Sequence, residues 1–134
     1  DRSEPDGYVP YIAENPLPNT PKHELLIHAA IGDYQVSPLG AHMIARAVKA
    51  KNLSPVNRSI WGLQEDAGPF TGSALVEFGF GLPDAPKTNI PPGVSDGNDP
   101  HDKVRVLPEA IDQADLFFRT GTIKPFCKGP CDPE

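Results

Sequence analysis

Two apolar stretches of different period organise the first half of the chain. Glu24–Ile31 (E-L-L-I-H-A-A-I) is a short, nearly continuous apolar run, the pattern of a strand covered on both faces. Gly32-Asp33 ends it. From Leu39 the period changes: Leu39, Met43 and Ala47 recur at i, i+4 and i+8, with Ile44 and Val48 beside them. This spacing predicts a helix reaching Ala50 with one apolar stripe. Ser37-Pro38 supplies its start, because serine caps free N–H groups and proline is tolerated in the first turn. Arg46, Lys49 and Lys51 suit the negative end of the helix dipole. Ser73–Phe80 (S-A-L-V-E-F-G-F) is a second strand, carrying Leu75, Val76, Phe78 and Phe80. Pro108 opens a second helix to Arg119, with Ala110, Ile111, Ala114, Phe117 and Phe118 as its predicted buried face and Gly121 as its stop. Between the strands, Arg58–Leu63 reads as a short strand and Asp66–Gly72 is rich in turn residues.

The remaining segments lack a period. Residues 1–21 carry five prolines, too many for a helix or a central strand, and their apolar residues (Tyr8, Val9, Tyr11, Ile12, Leu17) predict an extended arm packed on a surface. Gly81–Pro100 is a long proline-rich loop, and structureless loops of that length are often functional. Strand, turn and amphipathic helix make half of a parallel α/β unit, so residues 22–121 read as strand–helix units of an α/β domain. The regular segments are too few for a complete domain, which predicts that the chain is part of something larger.

Composition narrows this further. Proline and glycine make up about a fifth of the 134 residues, too much punctuation for a helical bundle. The 38% of hydrophobic residues is too high for a fully disordered chain. The net charge of −6 argues against nucleic acid as a partner, since nothing would neutralise the phosphates. No apolar run approaches the ~20 residues of a membrane helix. No leader pattern stands at the start, so any signal peptide is expected to have been removed already. In the tail, residues 122–134, Cys127 and Cys131 enclose Lys128-Gly129-Pro130. Such a turn can bring two Cα atoms within disulfide range, and using both cysteines this way predicts an oxidising compartment: secreted, or the bacterial cell envelope.

Two residues could carry chemistry. Asp33 lies just past the carboxyl end of a buried strand, where functional groups of open α/β sheets gather. His101 ends the long loop, in Asn98-Asp99-Pro100-His101-Asp102. An Asp and a later His are the trailing members of a Ser…Asp…His chain order. The carboxylate would fix the imidazole tautomer, and the imidazole would take the nucleophile's proton and return it to the leaving group. The bland readings are a turn residue for Asp33 and a solvated loop histidine for His101. Asp99 and Asp102 flank His101 and either could orient it locally, but they read as loop and cap residues, His28 as a satisfied core histidine, His42 as exposed and His23 as unremarkable. Trp61 reads as core or interface. No histidine pair has metal spacing, and neither a metal nor a cofactor is expected.

Leu26–Val48 resembles the strand, acid turn and helix of the α/β-hydrolase superfamily, with Asp33, Val36 and Pro38 fitting its acid turn after one extra residue. Asp99-Pro100-His101-Asp102 followed by Ile111–Phe118 resembles the catalytic-histidine loop and final helix of the same family. Nearly the whole chain is similar to the C-terminal part of large secreted bacterial hydrolases of this fold that end in a Cys-x-x-x-Cys tail. The resemblance implies the last parallel strands and helices of an α/β-hydrolase fold, incomplete as a single chain. It also implies a triad acid at Asp33, a triad base at His101, and esters rather than amides, small or lipid-like, as substrates. The family's serine lies in a G-x-S-x-G elbow before the acid, and only Ser3, in a polar segment, precedes Asp33. Gly93-Val94-Ser95-Asp96-Gly97 matches the letters, but it lacks a preceding strand and a following helix and stands in the wrong chain order. The nucleophile is therefore expected on an N-terminal portion or a companion chain. The rival expectation is a non-catalytic envelope or interaction module that kept the end of the fold.

Overall fold

A computed structural model describes residues 7–82 and 99–133. Its centre is a parallel sheet in the order β1-β5-β2-β3, formed by β1 (Leu26–Ala30), β2 (Lys51–Leu53), β3 (Glu65–Asp66) and β5 (Ala74–Phe78). A small antiparallel pair joins β4 (Phe70–Thr71) to β6 (Thr122–Ile123). The helices are α1 (Val9–Ile12), α2 (Pro38–Ala47) and α3 (Pro108–Thr120).

The sheet is covered on both faces, as a parallel sheet must be when its crossover connections are helical. On one face Ala30, Val76 and Phe78 pack with Ala110 of α3 and Ile123 of β6. On the other, Ala29 and Leu75 pack with Ala45 and Val48 from α2 and its C-cap, and with Val9 of α1. β5 is the central strand, and all five of its residues are buried. Among the described residues β1 is an edge strand, as is β3, and only Ala29 and Ala30 of β1 are buried, which corrects the expectation of a strand covered throughout. Phe118, exposed at 83%, and the half-buried Leu26 stand beside that open edge, in a groove that also takes in Leu25 and His28.

Local chemistry explains the boundaries. The Ser37 side chain accepts a hydrogen bond from Leu39 N and caps α2, as its sequence predicts. Gly121 ends α3 in the left-handed region, φ 69°, with its N–H bonded to Phe117 O. α2 turns a different face inward from the one its largest residues suggest; in α3 the expected Ala110 and Phe117 do meet the core, while Ile111 and Phe118 stay outside it. α2 buries Ala45, followed by Val48 at its C-cap, while Leu39 (60%) and Met43 (42%) are exposed. Small residues face the sheet there because α2 lies close over β1 and β5. α3 buries Ala110 and Gln113, leaving Ile111 and Phe118 exposed.

Three further expectations are corrected. The arm contains the short helix α1 and is not simply extended; Val9 and Ala13 are its buried anchors. Arg58–Leu63 is not a strand. The ladder falls instead at Lys51–Leu53 and Glu65–Asp66, with Asn52 N bonded to Gln64 O. Of the two expectations for Trp61, core is excluded and interface is left: it is 86% exposed, with the Arg46 guanidinium 5.7 Å from its ring.

An open parallel edge is a poor terminus for a sheet, since its N–H and C=O groups await a partner. Expressed by itself, the 134-residue chain should therefore aggregate or melt without a cooperative transition. A sharp, reversible thermal transition of a monomer would contradict this.

The tail carries the Cys127–Cys131 disulfide, with Cα atoms 5.3 Å apart. Cys131 O accepts from Gly79 N (2.7 Å) and Asn57 Nδ2 (2.9 Å), which fixes the tail beside the exit of β5. Closing so short a loop should contribute about 2 kcal/mol on chain-entropy grounds. Reduction should loosen the tail and leave the sheet folded, and thiol titration of the unreduced, denatured protein should find no free thiol.

Candidate functional site

The site grows out of the register of β1 against β5. Ala30 pairs with Phe78, and Ile31 N extends the ladder to Phe78 O. Both strands therefore end together, and the chain leaves each of them at the same edge of the sheet. Gly32 makes the turn out of β1 with φ +87°, and a Cβ there would meet the Leu82 side chain at 3.0 Å. Only glycine combines that conformation with that close approach. Asp33 follows immediately.

Asp33 performs two tasks with its two oxygens. Oδ1 accepts from Gln35 N and Val36 N, both at 2.8 Å, closing the turn into α2. Oδ2 lies 3.0 Å from His101 Nδ1, which is 3.3 Å from Oδ1. The turn role and the histidine contact therefore coexist in one side chain, and the two residues meet across 68 positions of sequence. Asp33 is 9% exposed and His101 33% exposed in their side chains.

The partner fixes the tautomer. Facing a carboxylate, Nδ1 carries the proton and donates it, so Nε2 of the neutral ring holds the free lone pair. His101 Nε2 has no hydrogen-bond partner among the described residues. The Asp33 hydrogen bond holds the His101 pKa above the ordinary imidazole value; partial burial opposes it, and the charges of Asp33, Asp102 and Asp99 assist.

No family model matches this chain, and no curated protein or solved structure matches it either. The chain is therefore an α/β protein with a parallel four-strand sheet, and no family is identified for it.

The surroundings hold groups that sequence reasoning placed elsewhere or passed over. Asp102 pairs with Arg105 at 2.7 Å on the surface. Asp99 faces inward to the site: its Oδ1 accepts from His101 N (3.1 Å) and Tyr34 N (3.4 Å), and its Oδ2 from Gln35 Nε2 (2.9 Å). The Gln35 bond, aided by those to His101 and Tyr34, lowers the Asp99 pKa against a smaller effect of burial. The signal was present in Asp99-Pro100-His101, since an aspartate two residues ahead can cap a backbone N–H.

A second histidine–carboxylate pair lies on the α2 face of β5. The expectation of an exposed His42 is corrected: its side chain is 15% exposed and bonds through Nε2 to Glu77 Oε1 at 2.7 Å. Arg58 holds the same carboxylate from Nε (2.6 Å) and Nη2 (2.7 Å). Burial acts to raise the Glu77 pKa, but the Arg58 and His42 bonds together outweigh it and hold it low. A glutamate inside an apolar strand was the signal for this cluster. The guanidinium neutralises Glu77, which marks the cluster as a structural tie between α2, β5 and the loop after β2.

His28 is half-buried on β1, not fully in the core as its sequence position suggests, and its Nε2 is bonded. Gln113 Nε2 donates to Lys124 O, so its Oε1 accepts from His28 Nε2 at 2.8 Å. Burial lowers the His28 pKa and keeps the ring neutral. The Gly93–Gly97 segment, with Ser95, lies outside the described residues. Among the described residues no group of His, Cys, Asp or Glu could hold a metal, and no helix is long and apolar enough to cross a membrane.

The raised His101 pKa has a sign that can be checked. A raised folded value means that the ion pair's contribution is full below the unfolded imidazole value of about 6.5 and is lost as pH rises through the folded value. An NMR titration of the His101 ring should give a midpoint above 6.5, and Asp33→Asn should lower it. An unchanged midpoint in the variant would show that the contact is absent in solution.

Proposed function

We propose that this chain supplies the acid and the base of a serine hydrolase, with Asp33 orienting His101 and His101 serving a serine on an N-terminal portion or a companion chain. One observation carries the reading: Asp33 and His101 meet at the carboxyl edge of adjacent parallel strands, and the ring nitrogen facing away from Asp33 holds a free lone pair. That is the state a general base requires before it takes a hydroxyl proton.

The proposed steps use His101 as base and Asp33 as its partner. The serine hydroxyl proton passes to His101 Nε2 as the oxygen attacks an ester carbonyl. Asp33 stabilises the resulting imidazolium. His101 then protonates the departing alcohol, leaving an acyl-enzyme. Water repeats the sequence: its proton goes to Nε2, its oxygen attacks the acyl carbon, and the serine recovers its proton. Esters, small or lipid-like, are the proposed substrates. The disulfide supports a secreted or envelope location.

The test is hydrolysis of 4-nitrophenyl esters of short and medium acyl chains by the full-length protein. Turnover that His101→Ala abolishes supports the reading. A folded protein that hydrolyses none of them would favour a non-catalytic interaction module, and turnover that survives His101→Ala would contradict the role given to His101.

A further inference from the structure

We infer that Asp99 is a positioning residue that clasps the acid turn to the histidine loop; this inference rests on the catalytic reading above. The contact between Asp33 and His101 joins two turns that leave different strands. One hydrogen bond between side chains leaves the ring free to pivot about it. Asp99 supplies the missing constraint. Its Oδ1 takes the backbone N–H of His101 itself and, at longer range, that of Tyr34, the residue after Asp33. Its Oδ2 takes the side-chain amide of Gln35, whose own backbone N–H is held by Asp33 Oδ1. One carboxylate thus grips the backbone of both turns within one residue of each site side chain.

This division of labour is chemically distinct from that of Asp33. Asp33 faces the imidazole, whereas Asp99, among the described residues, contacts only backbone N–H groups and one amide. Asparagine at position 99 can do most of the same work. Its Oδ1 can accept from both backbone N–H groups, and its NH2 can donate to Gln35 once that amide turns over. Alanine can do none of it. Placement errors at this scale are costly, because a shift of about 1 Å can cost about 10²-fold in rate.

The experiment follows the His101 Nδ1–H proton by NMR in the 15N-labelled full-length protein, alongside turnover of 4-nitrophenyl butyrate. In wild type that proton should give a far-downfield resonance, held by Asp33. Asp99→Ala should broaden or erase it and lower kcat about 10²-fold with little change in KM. Asp99→Asn should restore both. A resonance and a kcat that Asp99→Ala leaves intact would overturn the clasp, as would an Asp99→Asn loss equal to that of alanine. Should Asp99→Ala fail to fold, Gln35→Ala decides. It removes the Oδ2 bond alone and should broaden the resonance partly; an unchanged line would count against the clasp. A wild type that hydrolyses no ester, but whose resonance responds to Asp99 as described, would retain the clasp and sink the catalytic reading.

Discussion

Replacing Asp33 by asparagine in the full-length protein should leave the fold intact and cut ester turnover by about 10⁴-fold. The fold survives because asparagine Oδ1 can still accept from Gln35 N and Val36 N, which close the turn into α2. The loss arises at the other oxygen. An NH2 group in place of Oδ2 donates toward His101 Nδ1, so that nitrogen becomes the acceptor and the ring proton moves to Nε2. The lone pair needed to accept the serine proton then faces the new amide instead of the serine, and the base is disabled by its tautomer. Turnover should fall through kcat with KM little changed, and circular dichroism should match wild type. A variant that retains a tenth or more of wild-type kcat would contradict the role given to Asp33.

The largest effect on stability is expected at Glu77. Its side chain is 2% exposed and takes three charge-assisted bonds, two from Arg58 and one from His42. Glu77→Ala removes one member of a buried network and leaves the others without their partner. Such losses cost about 3–5 kcal/mol when both partners are fully buried. Arg58 (28% exposed) and His42 (15%) retain some access to water, so the lower end, about 3 kcal/mol, is expected. Glu77→Gln should cost less, since an acceptor oxygen remains. The midpoint of urea unfolding of the full-length protein measures both. The pH dependence has a fixed sign. The folded Glu77 pKa lies below its unfolded value. Its contribution is therefore complete above the unfolded glutamate value and fades as pH falls through the folded one. A change of less than about 1 kcal/mol for Glu77→Ala would mean that the network is a surface feature.

The parts of the fold that were legible in the sequence are those fixed by local chemistry. Ser37-Pro38 and Gly121 marked the ends of helices because capping and positive φ are properties of single residues. The run at Ser73–Phe80 marked β5 because a buried parallel strand is apolar throughout, and the run at Glu24–Ile31 marked β1 although only its end is buried. What could not be read was which neighbour each element meets. Leu39, Met43, Ile111 and Phe118 look like core by size, yet the close packing of α2 and α3 on the sheet selects Ala45 and Ala110. β2 was missed because three residues carry too little pattern, while its pairing with β3 and β5 is a matter of tertiary contact. Asp33 and His101 were legible as candidates because each follows a recognisable strand or precedes a recognisable helix. The His42–Glu77–Arg58 cluster was not, because Arg58 and His42 lie 19 and 35 residues from Glu77; of the bonds to Asp99 only that from His101 N, two residues on, is local, while those from Tyr34 and Gln35 span 65 and 64 residues.

The most direct test of the central claim is covalent. A fluorophosphonate reacts with an activated serine: an oxygen–phosphorus bond forms, fluoride leaves, and the hydroxyl proton goes to the neighbouring base. The full-length protein, with any companion chain that copurifies, should be treated with such a reagent, digested and mapped. One modified serine is expected, N-terminal to Asp1 or on the companion chain, and His101→Ala should slow its modification by orders of magnitude. Absence of any modified serine, or modification as fast in His101→Ala as in wild type, would contradict the assignment of Asp33 and His101 to a hydrolase triad.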